Sequence, residues 1–152
     1  MSELLNKPKK KLSLLIVEDS DEDYLTLIRL LKKQGFKYPI HRCVDGDDAL
    51  DYLFQTGEYS PETAPRPTMI LMDLNLPGTD GREVIEVIKN HQKLKIIPMV
   101  AFSTSSNTKD IQICYEYGVN SYIEKPVNLQ LFSKNIEDFL SYWFETAILP
   151  DI

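Results

Sequence analysis

The sequence predicts an α/β protein built on a parallel sheet with helices packed on both faces. Short apolar runs alternate five times with segments of helical periodicity, which is the pattern of repeated strand–helix units. The runs LSLLIV at 12–17 and MILM at 69–72 are continuously apolar, as expected of strands buried on both faces. The 152 residues are enough for one such domain, which we place at 12–150 behind an N-terminal arm at 1–11.

The individual elements follow from local patterns. After the first strand, apolar residues recur at i, i+3, i+4 and i+7 from Tyr24 and predict a helix that ends near Gly35. A more polar run at 40–44 predicts an edge strand, and DGD at 45–47 predicts a turn into the second helix. Prolines make 57–67 a loop. The remaining strands are predicted at 69–72, 99–102 and 121–123, and the remaining helices at 81–90, 108–117 and 129–147.

Composition narrows the function. The formal net charge of −6 argues against a nucleic-acid binder, because phosphate backbones select basic surfaces. The one basic run, Lys7 with 9–11, is expected to be a solvated arm. Cys43 and Cys114 lack metal-binding spacing and are expected to be reduced core residues. We see neither a signal peptide nor a membrane-spanning run in the sequence and therefore expect a cytoplasmic protein.

Polar residues stand where the predicted strands end. Glu18 and Asp19 follow the first strand, Asp73 the third, Ser103 the fourth and Lys125 the fifth. In a doubly wound sheet the ligand site lies beyond the carboxyl ends of the strands, so we expect these side chains to meet. Carboxylates crowded in this way repel one another unless a hard cation neutralises them.

Mg²⁺ is the cation that such a cluster favours, because it binds a few carboxylates and completes its octahedron with water and phosphate oxygens. Asp19 and Asp73 are predicted as direct ligands, Glu18 as a ligand through water, and the backbone carbonyl of Asn75 as a further ligand. Beside the metal, Asp73 stays ionised and can attack phosphorus. The metal, the Lys125 ammonium and the Ser103 hydroxyl can then each neutralise one phosphoryl oxygen.

The segments VEDS, MDLNLPGTDG, FST and EKP occur in an order that resembles the receiver domain of bacterial response regulators. The resemblance spans nearly the whole chain and implies a flavodoxin-like sheet with strand order 2-1-3-4-5. It implies that Asp73 is the phosphoacceptor and that Lys125 is the invariant basic residue found in the site of this family. Ser103 and Tyr122 would form the switch, and the bond from Lys125 to Pro126 would be cis.

A narrower resemblance concerns DYLFQTGEY, the proline-rich loop and PRPTMILMDLNLPGTDGREV. These segments are similar to single-domain regulators partnered with cyanobacterial and bacterial phytochromes, which share the long loop and a lengthened last helix. The resemblance implies a phytochrome-type histidine kinase as the phosphodonor. Because about one helix follows Lys125, we expect no DNA-binding unit and an output through binding of another protein.

Two other functions stay open. Phosphatases of the haloacid-dehalogenase kind also use a strand-end aspartate, Mg²⁺ and a lysine, but they carry a second aspartate two residues on and after their first strand. Here Asn75 follows Asp73 at that spacing, after the third strand. A receiver-like domain that binds partners without phosphorylation is the other alternative, and the intact set of site residues speaks against it.

The last helix carries more apolar residues than one core-facing stripe needs. The stripe consists of Phe132, Ile136, Phe139, Leu140 and Trp143. Tyr142 and Phe144 lie about 100° to either side of Trp143 and are expected to face outward.

The preceding helix is expected to turn Tyr115 toward the core and to leave Ile113 and Tyr117 on its outer face. Together with Tyr142 and Phe144, these outward residues predict a homodimer interface. The alternative is a last helix that folds back over its own domain.

Overall fold

The fold is a five-stranded parallel sheet with the strand order β2-β1-β3-β4-β5, as expected for a doubly wound protein. A computed structural model describes residues 11–152, so Lys7, Lys9 and Lys10 of the predicted arm lie outside the described residues. The strands are β1 (Leu14–Val17), β2 (Ile40–Cys43), β3 (Met69–Met72), β4 (Met99–Ser103) and β5 (Ser121–Glu124). The helices are α1 (Asp21–Lys33), α2 (Gly46–Phe54), α3 (Gly81–Lys89), α4 (Thr108–Glu116) and α5 (Leu129–Leu140), with a 3₁₀ turn at Leu94–Ile96.

The register of the central strands sets the position of the residues that follow them. Leu14 pairs with Met69 and Val17 with Met72, so β1 and β3 end at the same level. The backbone N–H of Asp73 continues this ladder by donating to the carbonyl of Val17 at 3.0 Å. Residues after β1 and residues after β3 therefore emerge side by side.

Side chains alternate across the sheet between two core layers, because successive residues of a strand point to opposite faces. Leu15 and Val17 belong to the layer covered by α2, α3 and α4. Leu14 and Ile16 belong to the layer covered by α1 and α5. All four residues of β1 are buried, which explains why this strand has no polar alternation.

Most predicted elements are found within one or two residues of their expected limits. β4 and β5 each extend one residue further than predicted, so Ser103 is the last residue of a strand. Cys43 and Cys114 are buried and free, as predicted. None of the helices within residues 11–152 has the length and apolar character needed to cross a membrane.

The last helix departs from the prediction. α5 ends at Leu140, and the chain continues as a π-helical segment, Ser141–Thr146. The wider turn, closed by a hydrogen bond from the N–H of Ala147 to the carbonyl of Tyr142, moves both Trp143 and Phe144 against the core layer of α1 and α5. The expectation that Phe144 faces outward is therefore wrong, because that expectation assumed a regular α-helical spacing.

Phe144 joins an aromatic cluster that closes the domain at this end. Its ring lies 5.0 Å from that of Phe36, 6.0 Å from that of Tyr38 and 6.1 Å from that of Phe139, measured between centroids. The three pairs are edge-on, stacked and tilted, respectively, and aromatic rings attract one another at such distances. The cluster attaches the chain after α5 to the loop between α1 and β2.

The outer face of α4 also differs from the prediction. Tyr115 is 50% exposed, whereas Tyr117 packs against the core layer of α2, α3 and α4. The sequence predicted Tyr115 in the core and Tyr117 on the outer face, so the prediction is wrong for both. The reason is that α4 turns Cys114 toward the core, and Tyr117 follows it by three positions on the same face, because its backbone is still helical and its N–H donates to the carbonyl of Ile113.

Truncation of Phe144 should measure the contribution of the aromatic cluster. We expect Phe144→Ala to lower the free energy of unfolding by about 2 kcal/mol, less than for a fully buried phenylalanine because this ring is half-buried. Tyr142→Ala is the matched control, since Tyr142 is 55% exposed on the same segment and should change the stability by about 0.5 kcal/mol. Urea unfolding followed by circular dichroism measures both, and equal losses would contradict the cluster.

Candidate functional site

The strand ends bring an acidic cluster together at the carboxyl edge of the sheet. Glu18 and Asp19 follow β1, and Asp73 follows β3. One carboxylate oxygen from each residue lies within 4.8 Å of the other two. Glu18 and Asp73 are buried, whereas Asp19 is exposed at the mouth of the site.

The loop after Asp73 is held in place by a close backbone approach at Gly81. A Cβ atom at this position would lie 2.2 Å from the carbonyl oxygen of Asp73, so only glycine fits without moving the backbone. The N–H of Gly81 donates to the carbonyl of Leu74, and Asp80 caps α3 just before it. The start of α3 therefore fixes the backbone that carries Asp73.

Lys125 supplies the positive charge of the cluster. Its Nζ lies 2.5 Å from Oε1 of Glu18, 3.4 Å from Oδ2 of Asp73 and 3.7 Å from Oδ2 of Asp23. The lysine side chain is only 8% exposed, and its Nζ also lies over the ring of Phe102. A buried ammonium is stable here because carboxylates surround it.

The pKa values of this pair reflect burial and mutual charge. Burial raises the pKa of Glu18 above its ordinary value, and the adjacent Asp73 carboxyl raises it further against the opposing effect of Lys125. Burial alone would lower the pKa of Lys125, but Asp73 and Glu18 together hold it above its ordinary value. Lys125 is therefore charged at neutral pH.

The peptide bond from Lys125 to Pro126 is trans, as are all other peptide bonds within residues 11–152. The expectation of a cis bond is thus wrong for this structure. Even before proline, the trans form is favoured by about 0.5–1 kcal/mol. The Lys125 side chain reaches both Glu18 and Asp73 from the trans arrangement, so those contacts do not require the cis form.

Ser103 and Tyr122 are joined through the backbone of Ser105. The buried Ser103 Oγ accepts a hydrogen bond from the N–H of Ser105 at 3.1 Å. The hydroxyl of Tyr122 donates to the carbonyl of Ser105 at 2.7 Å. The two predicted switch residues therefore hold the same short segment after β4.

A further network extends from this segment and was not predicted. The Ser105 hydroxyl donates to Asp110 at 2.8 Å, and Asp110 in turn pairs with Arg82 at 3.0 Å. Arg82 also pairs with Asp80 at 2.9 Å. The network ties the start of α3 to α4 and to the segment after β4. The charges of Asp80, Arg82 and Asp110 are visible in the sequence, but no local pattern indicates that they meet.

The oxygen ligands present fit a hard divalent cation. Three carboxylates converge, and such cations prefer carboxylate, carbonyl and water oxygens. Asn75 lies next to the cluster, since its backbone N–H donates to Oδ1 of Asp73 at 3.3 Å. The acidic pocket is therefore of the kind that binds a divalent metal ion.

The predicted interface residues do not form one exposed patch. Tyr142 is 55% exposed, Ile113 is half-buried, and Tyr117 and Phe144 pack against the core of their own domain. Beside Tyr142, a groove of about 900 Å³ runs between β5 and α5. It is lined in part by Tyr122, Leu131, Asn135 and Trp143.

Residues 14–137 match the model of the response regulator receiver domain family. Because this match covers most of the chain, the protein belongs to the response regulator receiver family, as the sequence motifs predicted.

The similar proteins include response regulators of phytochromes. The chain is 42% identical over 150 residues to response regulator Rcp1 of Synechocystis sp., with 99% of both chains covered. The crystal structure of the Mn²⁺-bound form of Rcp1 superimposes on this structure with a TM-score of 0.85, covering 91% of this chain and 99% of that chain. The phosphorylated cyanobacterial phytochrome response regulator RcpA is 39% identical, with a TM-score of 0.87 and coverage of 93% and 100%. The bacteriophytochrome response regulator AtBRR is 34% identical, with a TM-score of 0.73 and coverage of 94% and 100%.

Replacement of Lys125 should show how much the pairing of its charge with the carboxylates contributes to stability. We expect Lys125→Met to lower the free energy of unfolding by about 2–3 kcal/mol near pH 7.5 in metal-free buffer, because buried carboxylates lose their ammonium partner. An unpaired carboxylate costs energy only when it is ionised. Since the pKa of Glu18 is already raised, the loss should be smaller in a second measurement at lower pH, where a larger share of Glu18 is protonated.

Urea unfolding at both pH values measures this dependence. The double variant Lys125→Met with Glu18→Gln removes the unpaired charge together with the ammonium, so it should regain part of the lost stability. A loss of the same size at both pH values would show that packing, not charge, explains the effect of Lys125.

Proposed function

We propose that the chain is a response regulator of a two-component phosphorelay that accepts a phosphoryl group on Asp73. The observation that supports this role is the cluster of Glu18, Asp19 and Asp73, in which the buried ammonium of Lys125 pairs with Glu18 and Asp73. The carboxylate of Asp73 would attack the phosphorus of a phosphohistidine, and the bond from phosphorus to the imidazole nitrogen would break. The electron pair of that bond leaves with the imidazole.

Mg²⁺ is the cofactor that we propose for the acidic pocket. Asp19 and Asp73 would bind it directly, Glu18 through water, and the backbone carbonyl of Asn75 would add a further ligand. The Mn²⁺-bound form of the relative Rcp1 supports a divalent ion at such a pocket. When bound, the ion neutralises charge on the phosphoryl oxygens.

Two side chains would neutralise the remaining charge of the transferred group. The Lys125 ammonium lies 3.4 Å from Asp73 and is held charged by its neighbours. The Ser103 Oγ accepts from a backbone N–H, so its own proton is free for a phosphoryl oxygen. Slow hydrolysis of the phosphoryl group by water would return Asp73 to its free state, and we propose no other catalytic activity.

Signal output would follow from movement of the segment after β4. A phosphoryl group on Asp73 would draw the Ser103 hydroxyl toward it, and the N–H of Ser105 is bound to that hydroxyl. Tyr122 is bound to the carbonyl of the same residue and would shift with it. The surface of α4 and β5 would thereby report the state of the site to a downstream protein.

The phosphodonor that we propose is a histidine kinase of the phytochrome type. The support is the similarity to RcpA and AtBRR, which are response regulators of a cyanobacterial phytochrome and of bacteriophytochromes. The acidic pocket does not support a nucleic-acid partner, because its carboxylates repel phosphate in the absence of a metal. The position of Asn75, where a phosphatase of the haloacid-dehalogenase kind needs a second aspartate, disfavours that alternative.

Acetyl phosphate with Mg²⁺ provides the test, with intact mass as the readout. The parent protein should gain one phosphoryl group, and Asp73→Asn should gain none because the nucleophile is missing. Asp138→Asn is the control, since this exposed aspartate on α5 forms a salt bridge with the surface residue Lys134. Equal labelling of Asp73→Asn and the parent would refute Asp73 as the acceptor. An unmodified parent would favour the phosphorylation-independent alternative, and rapid release of phosphate would favour a phosphatase.

We also propose that the chain pairs with a second copy through the face of α4, β5 and the last helix. Tyr115 and Tyr142 are about half exposed on this face. Tyr142 borders the groove beside β5, and the hydroxyl of Tyr115 accepts a hydrogen bond from the N–H of Tyr122 on β5. β5 is an edge strand, so one side of it has no neighbouring strand in the sheet. Of the predicted interface residues, Tyr142 and Ile113 fit this face, whereas Phe144 is occupied within its own domain.

Sedimentation equilibrium decides the oligomeric state. We expect the parent to dimerise and Tyr142→Glu to weaken the dimer at least about tenfold, because a charge would be buried at the interface. Leu25→Glu is the control, since Leu25 is equally exposed but lies on α1. A monomeric parent, with and without phosphoryl group, would rule the interface out.

A further inference from the structure

Arg42, on the edge strand β2, contacts the segment that carries the acidic pair. Its Nε donates to the backbone carbonyl of Glu18 at 3.0 Å, and its Nη1 donates to the carboxylate of Asp21 at 2.7 Å. The guanidinium lies over the ring of Tyr24, with its central carbon 4.6 Å from the ring centroid. One planar group therefore joins the backbone after β1 to the first turn of α1.

The surroundings of Arg42 indicate that its geometry matters more than its charge alone. The side chain is 19% exposed, and Nη2 is buried without a hydrogen-bond partner among the described residues. A buried donor without a partner costs stability. A lysine would avoid that cost, but it has a single nitrogen and cannot reproduce the fork that reaches Glu18 and Asp21 together.

The segment between β1 and α1 needs such support. The N–H of Glu18 donates to the carbonyl of Cys43, and the N–H of Ser20 donates to the Glu18 side chain at 3.2 Å. Asp19 between them is exposed, so the position of its carboxylate depends on the backbone on both sides. Arg42 fixes that backbone at the carbonyl that immediately precedes Asp19.

We propose that Arg42 is a positioning residue of the metal site, which it supports by holding the backbone of Glu18 so that Asp19 stays directed at the cluster. Arg42 does not touch the metal itself. This inference rests on the proposed metal site. If the segment loses its anchor, only a fraction of molecules has Asp19 in place, and the apparent affinity for the ion falls by that fraction.

Calorimetric titration with Mg²⁺ tests this role on the full chain. Arg42→Lys keeps the charge and removes the fork, and we expect it to weaken Mg²⁺ binding about tenfold, as for other residues that orient metal ligands. Arg66→Lys is the matched control, since Arg66 is also half-buried but contacts Gln55 far from the cluster, and it should bind Mg²⁺ like the parent. Equal or tighter binding by Arg42→Lys would overturn the inference, because the variant keeps the charge and loses only the fork that holds the Glu18 backbone.

Phosphorylation by acetyl phosphate gives a second readout that a general loss of stability would not produce. Arg42→Lys should need about tenfold more Mg²⁺ for half-maximal rate and should approach the parent rate, within about twofold, at saturating Mg²⁺. Rates that stay low at saturation would overturn the positioning role.

The variant Asp19→Asn separates this inference from the metal site itself. It should weaken Mg²⁺ binding, and adding Arg42→Lys to it should cause little further loss because both act through the same ligand. A full additional loss would overturn the positioning role. If Asp19→Asn binds like the parent, the proposed metal ligands are wrong. If Asp19→Asn binds weakly and Arg42→Lys binds like the parent, only the role of Arg42 is wrong.

Discussion

The ion pairs of Lys125 with Glu18 and Asp73 are the interaction on which the site depends. They bring residues from the ends of β1, β3 and β5 into one buried corner, so each strand must end at the same edge of the sheet. One ammonium cannot neutralise three neighbouring carboxylates, and the burial that raises the pKa of Glu18 shows the cost of the remaining charge. An acidic corner with an excess of negative charge is suited to a divalent cation.

Around this corner, the buried strands that hold the carboxylates are distinct from the surface segment that can respond to a change at the site. β1 and β3 are fully buried between two core layers and hold Glu18 and Asp73 on rigid strands. The segment after β4 lies at the surface and is held by hydrogen bonds to Ser103 and Tyr122 and by the charged network to Arg82. Polar contacts can exchange partners at lower cost than core packing, so this segment is the part of the site best able to move.

The sequence was sufficient to predict the fold class, the order of the elements and the meeting of Glu18, Asp73 and Lys125 at the carboxyl edge. All three predictions depend on local pattern, because continuous apolar runs mark buried strands and parallel strands place their ends together. What the sequence could not show depends on contacts between distant segments. Phe144 faces inward because the helix widens after Leu140, and Arg42 and Arg82 find their partners only after folding. The trans bond at Lys125 is a property of the local backbone that family resemblance did not predict correctly.

The close approach of Gly81 to the carbonyl of Asp73 has a consequence for how such a chain can vary over generations. Gly81 has no functional group and lies eight positions after Asp73, yet the site depends on its identity as it does on that of a charged residue. Even an alanine there would displace the backbone of Asp73, whereas exposed positions on the same helix, such as Val87, have room for larger side chains. Inherited change should therefore accumulate on the outer face of α3 and be eliminated at its first residue.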